Sequence, residues 1–194
     1  MKDKFSNIWG DLSKKIELST ISDCSFGNDK LFIKSNIEAI NFDKAKLVLM
    51  QEWFEEWKRK KMKPAEFTSV DCLYIQNGKL FLVEFKNTEN INNKDVKVKI
   101  QDTLALLSRF YSIERDDFSH IEIILVRKFK SISSTDAKRS IREFPNKKAN
   151  YVPRFSTHLD FLQKVYQTKI SVLSPTDYEK LINTPNESEV SVST

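Results

Sequence analysis

Asn77-Gly78 stands between two apolar runs, Leu73 to Ile75 and Leu80 to Val83. No other feature of the chain constrains its fold as tightly. A type I′ turn needs positive φ at both central residues, and Asn-Gly meets that need at least cost. The spacing therefore predicts a hairpin with strands over about 68–76 and 79–87. A two-residue loop also sets the register: Gln76 faces Lys79, Ile75 faces Leu80 and Leu73 faces Leu82. Continued outward, Asp71 faces Glu84, with Cβ atoms roughly 4.5–5.5 Å apart on one face. Lys86 lies two residues on and points to that same face, with Ser69 as its cross-strand neighbour.

Two opposed carboxylates at the end of an apolar sheet repel, and poor screening raises the cost. Something positive belongs between them. A divalent cation with oxygen ligands answers this, and so does the Lys86 ammonium. Both together make a site suited to phosphodiester cleavage: the carboxylates hold the metal, the metal stabilises charge on phosphate, and the lysine handles water.

The rest of the chain reads as a mixed α/β domain. Spaced Phe5, Ile8, Trp9 and Leu12 predict a helix over about 3–16. Loose alternation over 17–40, with Gly27-Asn28, predicts short strands around a turn. Asp43 opens a helix to about Lys61, which Pro64 ends. A further helix is expected over 95–111, a buried strand over 120–129, and then helices over 156–168 and 176–183 about a short extended piece. One domain is expected over residues 1–183, with a flexible tail over 184–194.

Asp71 followed by Glu84-Phe85-Lys86 resembles the PD-(D/E)XK signature of the restriction-endonuclease-like nuclease superfamily. The order around it is similar too: an acidic helix, an aspartate at a strand start, Glu-x-Lys late in the next strand, then a helix. The resemblance covers residues 43–129. It implies an αβββαβ core with a central mixed sheet flanked by helices, and Mg²⁺- or Mn²⁺-dependent cleavage of nucleic acid. Asp71 and Glu84 would be metal ligands, the Phe85 carbonyl a third, and Lys86 the residue that activates water. A first-helix carboxylate is implied in some branches, for which Glu52 is preferred over Glu55 and Glu56. Lys99 and Gln101 stand where some branches carry Lys or Gln near the substrate. Two departures are plain. Val70 replaces the proline, and little chain separates Pro64 from Asp71. If strands within 17–40 take the place of the missing one, Glu38 becomes the alternative carboxylate.

Charge admits two readings, a stripe that binds a polyanion and a solvated, mobile loop rich in Lys and Ser. The net charge is +5, yet residues 127–154 alone carry 9 basic and 2 acidic residues. That stripe includes Arg127, Lys128, Lys130, Lys138, Arg139, Arg142, Lys147 and Lys148, interleaved with aromatics that could stack on bases. DNA is expected over RNA, and a homodimer is an open expectation. Other classes fall away. Only three glycines occur and they are dispersed, which excludes a phosphate-cradling glycine loop and a glycine-flanked nucleophile elbow. Cys24 and Cys72 are the only thiols and neither lies in a CxxC pair, which argues against a disulfide framework or a Cys/His zinc site. Neither histidine has a nearby nucleophile at readable spacing, and Cys72 is expected as an inert core thiol facing away from Asp71. No signal peptide or membrane span is expected, and two cysteines in so long a chain fit the cytoplasm. The expected activity is a metal-dependent nuclease. The alternative is a nuclease-fold module that no longer cuts and binds a partner protein or nucleic acid.

Overall fold

Asn77 and Gly78 both take positive φ, 55° and 70°, as a two-residue turn of this kind requires. They join β3 (Cys72–Gln76) to β4 (Lys79–Lys86). Gln76 stands opposite Lys79, Ile75 opposite Leu80 and Leu73 opposite Leu82. The computed structural model describes residues 2–26, 31–59, 67–88, 92–128 and 157–183. The expected Gly27-Asn28 turn, most of the basic segment and the 184–194 tail lie outside them.

The hairpin is the middle of a six-stranded mixed sheet. Its strands lie in chain order: β1 (Ser19–Thr20), β2 (Glu38–Asn41), β3, β4, β5 (Ile121–Arg127) and β6 (Lys169–Leu173). β1 to β4 pair antiparallel, while β5 runs parallel to β4 and β6 parallel to β5. Parallel neighbours need a crossover, which α4 (Asn93–Tyr111) supplies between β4 and β5. The other helices are α1 (Lys2–Lys15), α2 (Ile21–Cys24), α3 (Phe42–Arg59), α5 (Thr157–Tyr166) and α6 (Pro175–Asn183). No helix among the described residues is long and apolar enough to cross a membrane.

Strand alternation divides the core in two. Leu73, Leu80, Leu82, Ile123 and Leu125 meet Phe5, Ile8 and Leu12 of α1, Leu49 of α3, and Val96, Ile100 and Leu104 of α4. Cys72, Tyr74, Phe81, Val83, Ile124 and Val126 face the other way, toward Ile21 of α2 and Tyr178 and Ile182 of α6. β5 is apolar on both faces because both are covered. Each fully buried Leu or Ile contributes about 1.5–3 kcal/mol, so the sheet is held from both sides.

Several boundaries differ from the sequence expectation. The extended piece at 169–173 is a full member of the sheet. Within 17–40, Ile21–Cys24 is a helical turn, because Thr20 and Asp23 form a reciprocal capping box. His120 closes a 3-10 helix, Arg115–His120, rather than opening β5. β3 begins at Cys72, not near 68. The strand beside β3 comes from earlier in the chain, the substitution that the sequence allowed for: in β2, Ile40 pairs with Leu73 and Asn41 with Cys72. α3 is thus an excursion between two adjacent strands, closed where the Phe42 N–H donates to the Asp71 carbonyl at 3.0 Å.

Candidate active site

The chain before β3 is pulled off the ladder by two helices. The Thr68 N–H and hydroxyl donate to Asp102 at 2.8 and 2.9 Å. The Ser69 hydroxyl donates to Asp43 at the start of α3, and the Val70 N–H donates to Thr103 Oγ1 at 3.0 Å. Asp71 then sends its N–H to the Val83 carbonyl at 3.0 Å, although Val83 already stands opposite Cys72. Two residues of one strand meet one of the other, which is bulge geometry, and bulges re-aim side chains. In a continued ladder Val70 would exchange both backbone bonds with Phe85. Instead the Phe85 N–H donates to Asp71 Oδ2 at 2.6 Å. The Phe85 carbonyl points the same way as its N–H and so opens toward Asp71.

Thr103→Val keeps the shape of the side chain but orphans the buried Val70 N–H. It is expected to cost about 1–3 kcal/mol in urea denaturation and to loosen Asp71. A change below a few tenths of a kcal/mol would show that Thr103 does not hold this segment.

Asp71 and Glu84 end up on one face, the face that α4 covers. Lys99 of α4 reaches both: its Nζ lies 3.3 Å from Asp71 Oδ1, 2.8 Å from Glu84 Oε1 and 3.1 Å from Glu84 Oε2. Lys86 Nζ approaches Glu84 Oε1 at 2.6 Å. The Glu84 side chain is 1% exposed, whereas those of Lys86 and Lys99 are 26% and 24% exposed. Two carboxylates and two ammoniums thus form one cluster at the sheet end, with its cations toward water. Burial, and then the Glu84 charge, push the Asp71 carboxyl up to about 6, against the opposing pull of Lys99, the Phe85 N–H and Lys86. Burial alone would lower the Lys99 ammonium, but Asp71 and Glu84 outweigh it and hold the group above its ordinary value. On the far face, burial pushes the Cys72 thiol well up, with Cys24 adding to the effect.

The structure brings Asp71, Glu84, Lys86, Lys99 and the Phe85 backbone together. Glu52 stands elsewhere. Its carboxylate lies 2.9 Å from Lys15, which also pairs with Asp11, and Asp11 accepts from the Tyr111 hydroxyl. Tyr111 ends α4, roughly 18 Å along the axis from Lys99. Glu38 is exposed on β2 opposite Thr20. Gln101 is roughly 200° around α4 from Lys99 and faces a different way. Arg127 stands opposite Lys86 across the β4–β5 pairing, and the Lys128 N–H donates to the Lys86 carbonyl at 3.4 Å. The basic segment therefore starts beside the cluster. Lys130, Lys138, Arg139, Arg142, Lys147 and Lys148 lie outside the described residues. Asp102 and Thr103, which position Asp71, were missed in the sequence. Their only signal was the i, i+3, i+4 spacing with Lys99 on one helix face.

Among the described residues no group of three or more His, Cys, Asp or Glu side chains gathers. The groups here that could serve a metal are the Asp71 and Glu84 carboxylates and the Phe85 carbonyl. That donor set fits Mg²⁺ or Mn²⁺, which are held by one or two carboxylates and complete their shells with water and phosphate. Glu84 Oε1 is buried and accepts no directed hydrogen bond, its partners being the Lys86 and Lys99 ammoniums at 2.6 and 2.8 Å. Comparison of the chain with known protein families, curated proteins and solved structures finds no match.

Proposed function

We propose that the protein is a metal-dependent nuclease of the PD-(D/E)XK type, hydrolysing phosphodiester bonds in DNA in preference to RNA. One observation carries this reading: Asp71, just ahead of β3, and Glu84, buried on β4, share a cluster that also holds Lys86. The element order supports it. α1, the antiparallel run β2–β3–β4, the crossover helix α4 and the parallel β5 follow the αβββαβ sequence, with α3 as an insertion. The start of the basic segment beside Lys86 favours a polyanionic substrate.

In this mechanism Asp71, Glu84 and the Phe85 carbonyl would hold Mg²⁺ or Mn²⁺, which would supply stabilisation of charge on the scissile phosphate. Lys86, partly exposed at the end of β4, would orient the attacking water and stabilise the charge that develops on it. Glu84 fixes the Lys86 head at 2.6 Å. Arg127 and Lys128 carry the neighbouring phosphates.

Labelled single- and double-stranded DNA and RNA, each offered with Mg²⁺, Mn²⁺ or EDTA, test the reading. Cutting that needs the metal is the expected result. A second reading, a nuclease-fold module that binds without cutting, draws on the balance of two carboxylates against two ammoniums. No cutting of any substrate would favour it.

A further inference from the structure

Lys99 contacts three oxygens of the two carboxylates that the nuclease reading assigns to a metal, at 3.3, 2.8 and 3.1 Å. Lys86 touches Glu84 alone, but Lys99 spans both carboxylates. Its ammonium and a divalent cation shared by them therefore compete for one position, and they would repel at contact distance in a poorly screened site. The cluster is neutral as it stands: Asp71 and Glu84 carry two negative charges, Lys86 and Lys99 two positive. Adding a divalent cation leaves an excess of two positive charges, which a substrate phosphate can offset. The Lys99 head is partly exposed, so it has somewhere to go.

We propose that the Lys99 ammonium is a resident counter-ion that occupies the metal position in the substrate-free protein and moves onto substrate phosphate when the metal enters. Metal and nucleic acid then bind cooperatively, each raising the affinity of the site for the other by the same factor. Without a polyanion the ammonium keeps the carboxylates together and the metal out. This inference rests on the metal-dependent reading above, and it adds a control of metal loading by the substrate.

The test is Mn²⁺ binding, followed by the electron paramagnetic resonance signal of free Mn²⁺, in the wild-type protein and in Lys99→Met. Each is measured alone and with a short DNA duplex. Lys99→Met is expected to bind Mn²⁺ about tenfold more tightly than wild type when no DNA is present. In EDTA it should melt at a lower temperature than wild type, and Mn²⁺ should raise its melting temperature more. DNA should tighten Mn²⁺ binding to wild type by about fivefold or more, and this gain should shrink or vanish in the variant. Lys99→Gln, which can still donate hydrogen bonds to both carboxylates, replaces the Met variant if that one does not fold. Equal or weaker Mn²⁺ binding by the variant would overturn the counter-ion role and leave the nuclease reading standing. No Mn²⁺ binding by either folded protein, with or without DNA, would overturn both.

Discussion

Asp71→Asn is expected to lower the cleavage rate by at least about a thousandfold, the loss of several kcal/mol of metal-assisted stabilisation, while making the protein more stable above pH 6. The two effects share one cause. Asp71 is half-buried beside Glu84, and burial, then the Glu84 charge, push its carboxyl up to about 6 from an ordinary 3.8. The folded protein therefore binds the Asp71 proton more tightly than the unfolded chain does. As pH falls from 6 to about 4, the folded state takes up this proton first, and stability rises. As pH climbs back through 6, the ionised carboxylate reappears and that gain is lost. Asparagine removes the charge but keeps an oxygen for the Phe85 N–H. The variant should be more stable than wild type by about 1–3 kcal/mol at pH 7.5, and the two should converge below pH 4. Urea denaturation across this range measures both. A variant less stable than wild type at pH 7.5 would mean that Lys99 and the Phe85 amide outweigh the repulsion.

Lys86→Ala should separate chemistry from binding. Its loss is expected to lower the rate by about 10²–10³, the range for removing one group that stabilises developing charge. The effect should fall on kcat, while Mn²⁺ binding through Asp71 and Glu84 remains. Stability should change by about 1 kcal/mol or less, because Lys86 is partly exposed and Lys99 still holds Glu84 at 2.8 Å. Full activity in Lys86→Ala, measured on the substrate that wild type cuts best, would remove Lys86 from the mechanism. Loss of Mn²⁺ binding along with activity would make it a residue that shapes the metal site instead.

The core of the cluster was legible in the sequence because it depends on short-range rules. Asn77 and Gly78 demand one turn type, that turn sets the pairing of Gln76 with Lys79, and alternation along β4 puts Glu84 and Lys86 on one face. Every step spans only a few residues. The ladder itself was read too far. It ends at Cys72 because Thr68 and Val70 find hydrogen-bond acceptors on Asp102 and Thr103, more than thirty residues away in sequence. The expected carboxylate pair survives that break, since the Asp71 side chain bridges to the Phe85 amide and stays on the face of Glu84.

The remaining differences are of the same kind. Nothing local in residues 38–41 says that they pair with β3 across an eighteen-residue helix. Lys99 has the spacing of an ordinary helix-surface residue, and only the packing of α4 on the sheet puts its ammonium between Asp71 and Glu84. Glu52 has the spacing of a candidate ligand, yet α1 brings Lys15 to it at 2.9 Å, in a network that runs to the far end of α4. The sequence by itself determined the hairpin, its register as far as Cys72 and Val83, and the face shared by Glu84 and Lys86. The tertiary structure alone decided which cation stands between the carboxylates, which strand neighbours β3 and which acidic residues are left outside. The division is physical: turn chemistry and strand alternation act over a few bonds, whereas helix-on-sheet packing selects partners by distance in space, which no local pattern records.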